Sequence, residues 1–202
     1  MKLVYAILLA LSIMAPVYGG DLDQPARQVL LDHLNKSSAE FRDSIKDLSA
    51  KQWNYKPGAG GWSAAECAEH IVLSEDLLRA MVEHKILTGA ASPERIAERK
   101  TFDQKVLKMI TDRSVKAKAP EPLQPNGQFT TPAAALKKFE ESRKKTIALA
   151  KSRDDLREHA GPHPVLKELD AYQWLLYLSG HTLRHTAQIG EVKGSSGFPA
   201  GR

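Results

Sequence analysis

Helical periodicity is the feature that most constrains the fold of this chain of 202 residues. Apolar side chains recur every three or four residues in long segments, which is the pattern of amphipathic helices. These segments cover approximately residues 22–48, 63–89, 132–151 and 170–193, and their predicted inward apolar positions include Val29 and Leu77. A shorter helix is predicted over residues 94–110, and no strand is predicted. The pattern therefore predicts an all-α fold.

Two of the long helices have sequence signals at their starts. Ser63 with Glu66, and Asp170 with Gln173, have the spacing of a capping box, in which each side chain satisfies a backbone N–H of the first turn. A proline-rich stretch over residues 120–132 cannot continue a helix. We interpret it as a long crossover connection and not as a domain boundary, because neither half of the chain could bury a core alone.

The first twenty residues have the layout of a secretory signal. Lys2 is followed by an apolar run over residues 3–15 and then by small residues up to Gly20. The run is shorter than the roughly 20 apolar residues that a spanning helix needs. We predict a signal peptide over residues 1–20 and one domain over residues 21–202, with no stable membrane span after signal removal and a periplasmic or secreted location. An uncleaved membrane anchor is the alternative.

Charge and cysteine content exclude several kinds of site. The net charge of +5 is spread along the chain, and the densest basic cluster, residues 137–145, is interrupted by Glu140 and Glu141. A basic stripe with aromatic residues between the charges is not visible in the sequence, so nucleic acid is not an expected partner. Cys67 is the single cysteine, which excludes an intramolecular disulfide and a cysteine-pair zinc site. A metal site would therefore use nitrogen and oxygen ligands.

Three of the seven histidines are predicted to face the interior. His181 and His185 are four residues apart, which places both imidazoles on one face of a helix, one turn from each other. His70 shares the apolar face of the second helix. Burying neutral imidazoles without partners is costly, and a metal ion would satisfy their acceptor nitrogens. Core histidines that are hydrogen-bonded to neighbouring groups are the alternative.

Three neighbours of these histidines are weaker candidates. Cys67 is predicted to be a small core residue and not a fourth ligand, because free cysteine packs as a small hydrophobe. Glu66 is predicted to be used in its cap. Gln188, one turn beyond His185, is predicted to support that histidine or to lie at the mouth of the site. A clear general base beside the histidines is not evident.

The remaining histidines and nearby loop aromatics receive looser predictions. His163 lies between two prolines and is interpreted as a loop residue, with a position at the mouth of the site as the alternative. Trp53 and Tyr55, together with His163, are predicted to shape a pocket. No role is predicted for His33, His84 and His159.

The residues around the three inward histidines resemble a known family. The stretch GWSAAECAEH over residues 61–70 resembles the Trp-Ser-x-x-Glu-x-x-x-His signature of the DinB-like superfamily, and residues 163–189 resemble its C-terminal signature. This resemblance implies a four-helix bundle with a long crossover connection and a short extra helix. It also implies one divalent metal, zinc or nickel, with iron and manganese as alternatives. By position the ligands are His70, His181 and His185.

The resemblance extends over nearly the whole mature chain, and it further implies a homodimer. An ion held by three neutral imidazoles would lower the pKa of a bound water to about 7 or hold a thiol as thiolate. The expected function is therefore that of an exported metal-dependent enzyme acting on a small-molecule substrate, either a hydrolase or a thiol transferase. A non-catalytic metal-binding or stress-related protein is the alternative, although a structural ion is normally closed by four protein ligands.

Overall fold

The computed structural model describes residues 22–58 and 60–200, and the predicted signal peptide lies outside them. Seven α-helices and two strands are defined in this part of the chain. Their bounds are α1 Gln24–Ile45, α2 Ala50–Trp53, α3 Ala64–Met81, α4 Ile96–Lys100, α5 Asp103–Thr111, α6 Pro132–Ser152, β1 Ala160–His163, β2 Lys167–Asp170 and α7 Ala171–Lys193. Short 3₁₀ turns cover Pro93–Arg95 and Glu121–Leu123, and a π-helical turn, Val82–Ile86, extends α3.

The four long helices form a bundle in which α7 is central. Helix α7 packs against α1 and α3, and both of these pack against α6. The short α5 covers another side of α7. Residues 112–131, called the crossover below, connect α5 to α6 and contain the predicted proline-rich stretch. The predicted four-helix bundle with a long crossover is confirmed. None of the helices in residues 22–58 and 60–200 is long and apolar enough to cross a membrane.

The predicted helix starts are confirmed by their caps. Ser63 and Glu66 exchange side-chain and backbone hydrogen bonds at the start of α3, and Asp170 and Gln173 do so at the start of α7. Each capping box satisfies two N–H groups that have no intrahelical partner. A third capping box, which was not predicted from the sequence, begins the short α2.

The predicted helix over residues 94–110 is interrupted at Thr101 and Phe102. The N–H groups of these two residues bond three positions back, to Glu98 and Arg99, and so tighten the chain into a turn. The side-chain amide of Gln173 also donates to the Arg99 carbonyl at 2.6 Å. A continuous α-helix would use that carbonyl for the N–H of Asp103. The cap residue of α7 therefore contributes to the break.

A small hairpin replaces part of the predicted loop before α7, so the expectation of no strand was wrong. β1 and β2 pair antiparallel, from Ala160 opposite Asp170 to His163 opposite Lys167. The sequence lacks the alternation of β-branched residues that predicts strands. Tertiary contact explains the pairing: a Cβ at Gly161 would lie 3.1 Å from Cγ1 of Ile86, so glycine allows the hairpin to approach the end of α3 closely.

A layer of buried polar residues separates two apolar clusters of the core. One cluster includes Leu34, Val82 and Leu178, and the other includes Phe41, Ile71 and Ile189. Between them along the four long helices lie the buried residues Ser37, Glu75, Arg143, Thr146 and Thr182. The guanidinium group of Arg143, on α6, donates hydrogen bonds to residues of α1, α3 and α7, so this polar layer joins all four long helices.

Two apolar positions of the predicted stripes are not in the core. Val29 is 46% exposed and Leu77 is 45% exposed. Periodicity placed both on an inward face, but the apolar contact surface of each helix is narrower than that predicted face. The correction does not affect His70, which is 3% exposed on α3.

Candidate metal centre

The three histidines predicted to face inward converge at one point. His70 is supplied by α3, and His181 and His185 are supplied by consecutive turns of α7. One ligand atom from each side chain lies within 4.8 Å of the other two. The Nε2 atoms of His70 and His181 are 3.3 Å apart, although these residues are 111 positions apart in sequence. His70 and His185 are buried and His181 is partly exposed.

The spacing of these nitrogens fits a small divalent cation. Zinc–nitrogen bonds of about 2.0–2.1 Å in tetrahedral geometry place two ligand nitrogens roughly 3.3–3.4 Å from each other. The observed 3.3 Å between His70 and His181 agrees with this value. The ring centroid of His185 lies 4.4 Å from that of His70 and 4.5 Å from that of His181, so the third imidazole is close to the other two. The donor set is therefore suited to one ion.

Hydrogen bonds at the far side of two rings fix their tautomers. Nδ1 of His70 lies 2.8 Å from the carbonyl oxygen of Leu123, and because a carbonyl only accepts, Nδ1 carries the proton. Nδ1 of His185 lies 2.8 Å from Oε1 of Gln188. In both residues Nε2 then keeps its lone pair. Metal-binding histidines generally have their second ring nitrogen hydrogen-bonded in this way.

Burial keeps the three imidazoles neutral. Desolvation lowers the pKa of His70, lowers that of His185 to about 3 and lowers that of His181 well below its usual value. For His181 and His185, repulsion from a neighbouring imidazole acts in the same direction. A neutral imidazole has the lone pair that a metal ligand needs.

Aromatic side chains enclose the histidine cluster on two sides. The ring of Trp62 lies 5.1 Å from that of His70 and 6.2 Å from that of His185. Tyr177 stacks on His181 with centroids 6.2 Å apart. Trp62 is part of the family signature in the sequence, but its position beside the histidines was not predicted.

A cavity of about 190 Å³ adjoins Trp62 on the protein surface. Its lining combines the start of α3 with the crossover and consists of Trp62, Glu66, Lys118, Ala119, Gln124 and Pro125. Leu123, the residue before Gln124, is the one whose carbonyl accepts from His70. The ring of Trp62 and the backbone of residues 123–124 therefore lie between the cavity and the histidine cluster.

The predicted pocket residues Trp53 and Tyr55 do not line this cavity. Trp53 is fully buried, and its indole N–H donates to the Phe129 carbonyl at 3.2 Å. The hydroxyl of Tyr55 donates to the Ser196 carbonyl at 2.8 Å. Each side chain hydrogen-bonds to the backbone of a distant segment, and so helps to hold that segment in place.

His163 lies at the end of β1 and is buried. Its Nδ1 accepts the N–H groups of Val165 and Leu166, which closes the hairpin turn. Its ring contacts Tyr177, the residue that stacks on His181. His163 is thus a turn-forming residue, which agrees better with its interpretation as a loop residue than with a position at the mouth of the site.

The acidic and thiol side chains near His70 make contacts outside the histidine cluster. Glu66 accepts the N–H of Ser63 at 2.8 Å in its cap, as predicted. Cys67 is fully buried among apolar residues, also as predicted, and burial raises the pKa of its thiol to about 12. The carboxylate of Glu69 accepts three N–H groups of the crossover, at residues 126–128. Within the described residues, the cluster itself contains three histidines and no cysteine, aspartate or glutamate.

The fold and the site together define a class: a helical bundle with a nitrogen-only candidate metal centre contributed by two of its long helices. Comparison with known proteins places the chain more closely. It belongs to the DinB superfamily, whose model matches residues 33–189 and so spans all three histidines. This confirms the resemblance seen in the sequence.

A protein sequence and a solved structure are similar to this chain. The chain is 29% identical over 160 residues to the uncharacterized protein YuaE of Bacillus subtilis (strain 168), which covers 79% of this chain and 94% of that protein. The fold is also similar to that of YfiT from Bacillus subtilis, described as a probable metal-dependent hydrolase with an unusual four-helix bundle topology. The match covers 87% of this chain and 91% of the YfiT chain. The TM-score is 0.53 at 14% identity, so this likeness concerns the fold.

Proposed function

We propose that the protein is an exported, divalent-metal-dependent enzyme that acts on a small-molecule substrate, with His70, His181 and His185 as the metal ligands. The observation that carries this proposal is the convergence of three neutral imidazoles on one point, with ligand atoms within 4.8 Å of one another. The similar structure, that of YfiT, is described as a probable metal-dependent hydrolase, which supports hydrolysis as the reaction. Zinc or nickel suits an all-nitrogen ligand set.

The count of three ligands favours a catalytic ion over a structural one. Structural zinc sites are normally closed by four protein ligands, whereas catalytic sites keep a position for water or substrate. Cys67, one turn before His70, packs in the core and does not supply a fourth ligand. A non-catalytic metal-binding protein is the second candidate, and it would require a ligand from outside the cluster.

The chemistry divides between two reaction classes. When bound, the ion would supply a nucleophile, either a water whose pKa is lowered to about 7 or a thiolate. The protein's own residues orient the site: Leu123 and Gln188 hold the rings of His70 and His185, and Trp62 shields them. Glu66 accepts the N–H of Ser63, and Glu69 accepts N–H groups of the crossover, so both carboxylates have structural roles. We favour hydrolysis, with thiol transfer as the alternative.

The decisive experiment is elemental analysis of gently purified protein. We expect about one equivalent of zinc or nickel in the wild type and none in His181→Ala, with helical circular dichroism retained. His84→Ala is the matched control, because His84 is an exposed histidine at the end of α3 and should leave the metal content unchanged. Wild-type protein without stoichiometric metal would refute the proposal, and loss of the fold in His181→Ala would favour the structural role.

Two further assays address the reaction and the location. Esters and amides are screened separately from thiol–electrophile pairs, each with wild type and His181→Ala, and activity lost in the variant assigns the class. Export is tested by fractionation of cells that express the chain with and without residues 1–20. Accumulation of both forms in the cytoplasm would contradict export.

A further inference from the structure

One side-chain oxygen lies between a candidate metal ligand and a residue of the crossover. Oε1 of Gln188 is 2.8 Å from Nδ1 of His185 and also accepts from Nη1 of Arg113 at 3.4 Å. Arg113 is itself held by Glu191, through two hydrogen bonds of 2.6 Å each. The chain of contacts therefore runs from the crossover through Gln188 to the imidazole.

Arg113 determines which end of the amide faces His185. A guanidinium group only donates hydrogen bonds, so it favours the oxygen of Gln188 and disfavours the NH₂ group at that position. With the oxygen fixed, Nδ1 of His185 must donate, and the ring is held in the tautomer with its lone pair on Nε2. Without Arg113 the amide could rotate and present NH₂, which would favour the opposite tautomer.

We propose that Gln188 is the positioning residue of His185 and that Arg113 positions Gln188. This inference rests on the proposed function, because positioning matters only if His185 is a ligand. His70 is oriented by the backbone carbonyl of Leu123, which no substitution removes. His185 is oriented by a side chain, so its basicity and direction depend on the amino acid at position 188. Both orienting groups depend on the crossover, since Arg113 and Leu123 belong to it.

The first test is the tautomer of His185 in metal-free protein, measured by long-range ¹H–¹⁵N NMR correlation. We expect the Nδ1–H form in wild type, a mixture in Gln188→Leu and recovery of the Nδ1–H form in Gln188→Glu, which keeps the acceptor. Gln104→Leu is the matched control, because Gln104 is an exposed glutamine on α5. An unchanged tautomer in Gln188→Leu would overturn the proposal.

The second test is zinc affinity, measured by competition with a chromophoric chelator. We expect Gln188→Leu to bind zinc about 10- to 100-fold more weakly than wild type, as for other residues that orient metal ligands. The zinc affinity of Arg113→Met should lie between those of wild type and Gln188→Leu. Equal affinity of wild type and Gln188→Leu would overturn the inference while leaving the metal site in place. If wild type binds neither zinc nor nickel, the proposed function fails, and the tautomer measurement separately decides whether Gln188 orients the ring of His185.

Discussion

The substitution Arg143→Met is expected to destabilise the bundle more than any other single change in the polar layer. Arg143 of α6 donates two hydrogen bonds of 2.8 Å to Glu75 of α3, and the two side chains are 2% and 0% exposed. The same guanidinium donates to the carbonyl of Leu34 and the hydroxyl of Ser37 on α1, and to the hydroxyl of Thr182 on α7. One side chain thus contacts three other helices.

The magnitude follows from what methionine would leave behind. Methionine fills a similar volume but donates no hydrogen bond, so Glu75 would keep only the hydroxyl of Thr146, at 2.7 Å. Removing one partner of a buried ion pair costs about 3–5 kcal/mol, because the other charge stays buried without compensation. For a domain of this size that corresponds to a decrease in Tm of roughly 6–20 °C. Total stability of such domains is only about 5–15 kcal/mol.

The assay is urea denaturation followed by circular dichroism, with a double-mutant cycle. Arg143→Met and Glu75→Met should each be strongly destabilising, whereas the variant with both substitutions should recover much of the loss, since no buried charge remains. Lys144→Met, at the exposed neighbouring position, is the control and should change stability little. A loss below about 1 kcal/mol for Arg143→Met would refute this reasoning. So would a double variant as unstable as the sum of the single ones.

The remaining predictions concern α3 and α7. Cys67 is buried with a pKa of about 12, so at pH 8 the folded protein should not react with a thiol reagent such as Ellman's reagent, and urea-unfolded protein should react at once. Since the ordinary pKa of 9.0 is the lower one, the unfolded state ionises first, and the free energy of unfolding should fall as pH rises above about 9. Rapid labelling of folded protein at pH 8 would contradict the burial. Gly180→Ala should destabilise the domain by about 1–2 kcal/mol, because the new Cβ would lie 2.4 Å from Cγ2 of Ile110. Gly190→Ala, in the same helix but without a heavy atom within 4 Å, should instead stabilise it by about 0.5–1 kcal/mol, and equal effects in a urea titration would rule out the packing explanation.

Local signals made the helices and half of the site predictable. Capping boxes need only residues three positions apart, and both predicted boxes are present at Ser63 and Asp170. His181 and His185 share a face because of helix geometry alone. The third histidine, His70, was added by its inward face and by the family signature, and its convergence with the other two is confirmed.

Features that depend on distant contacts were missed. The ion pair of Glu75 and Arg143 joins residues 68 positions apart, and each looks like a surface residue in its own helix. The hairpin depends on the approach of Gly161 to Ile86, which no local pattern indicates. Trp53 and Tyr55 are aromatic residues of the type that often line pockets, but here they donate hydrogen bonds to the carbonyls of Phe129 and Ser196. Periodicity also failed to show that Val29 and Leu77 lie outside the packed surface.

The 111-residue separation between His70 and His181 has a consequence for the order of events in the life of the protein. In a growing or unfolded chain, His70 is separated from the His181–His185 pair, and single histidines or such pairs bind a cation weakly by themselves. The complete set of nitrogens exists only after the last helix has docked against α3. Under the proposed function, an ion would therefore bind only after the bundle is assembled, and an exported chain would take its metal from the compartment in which it folds.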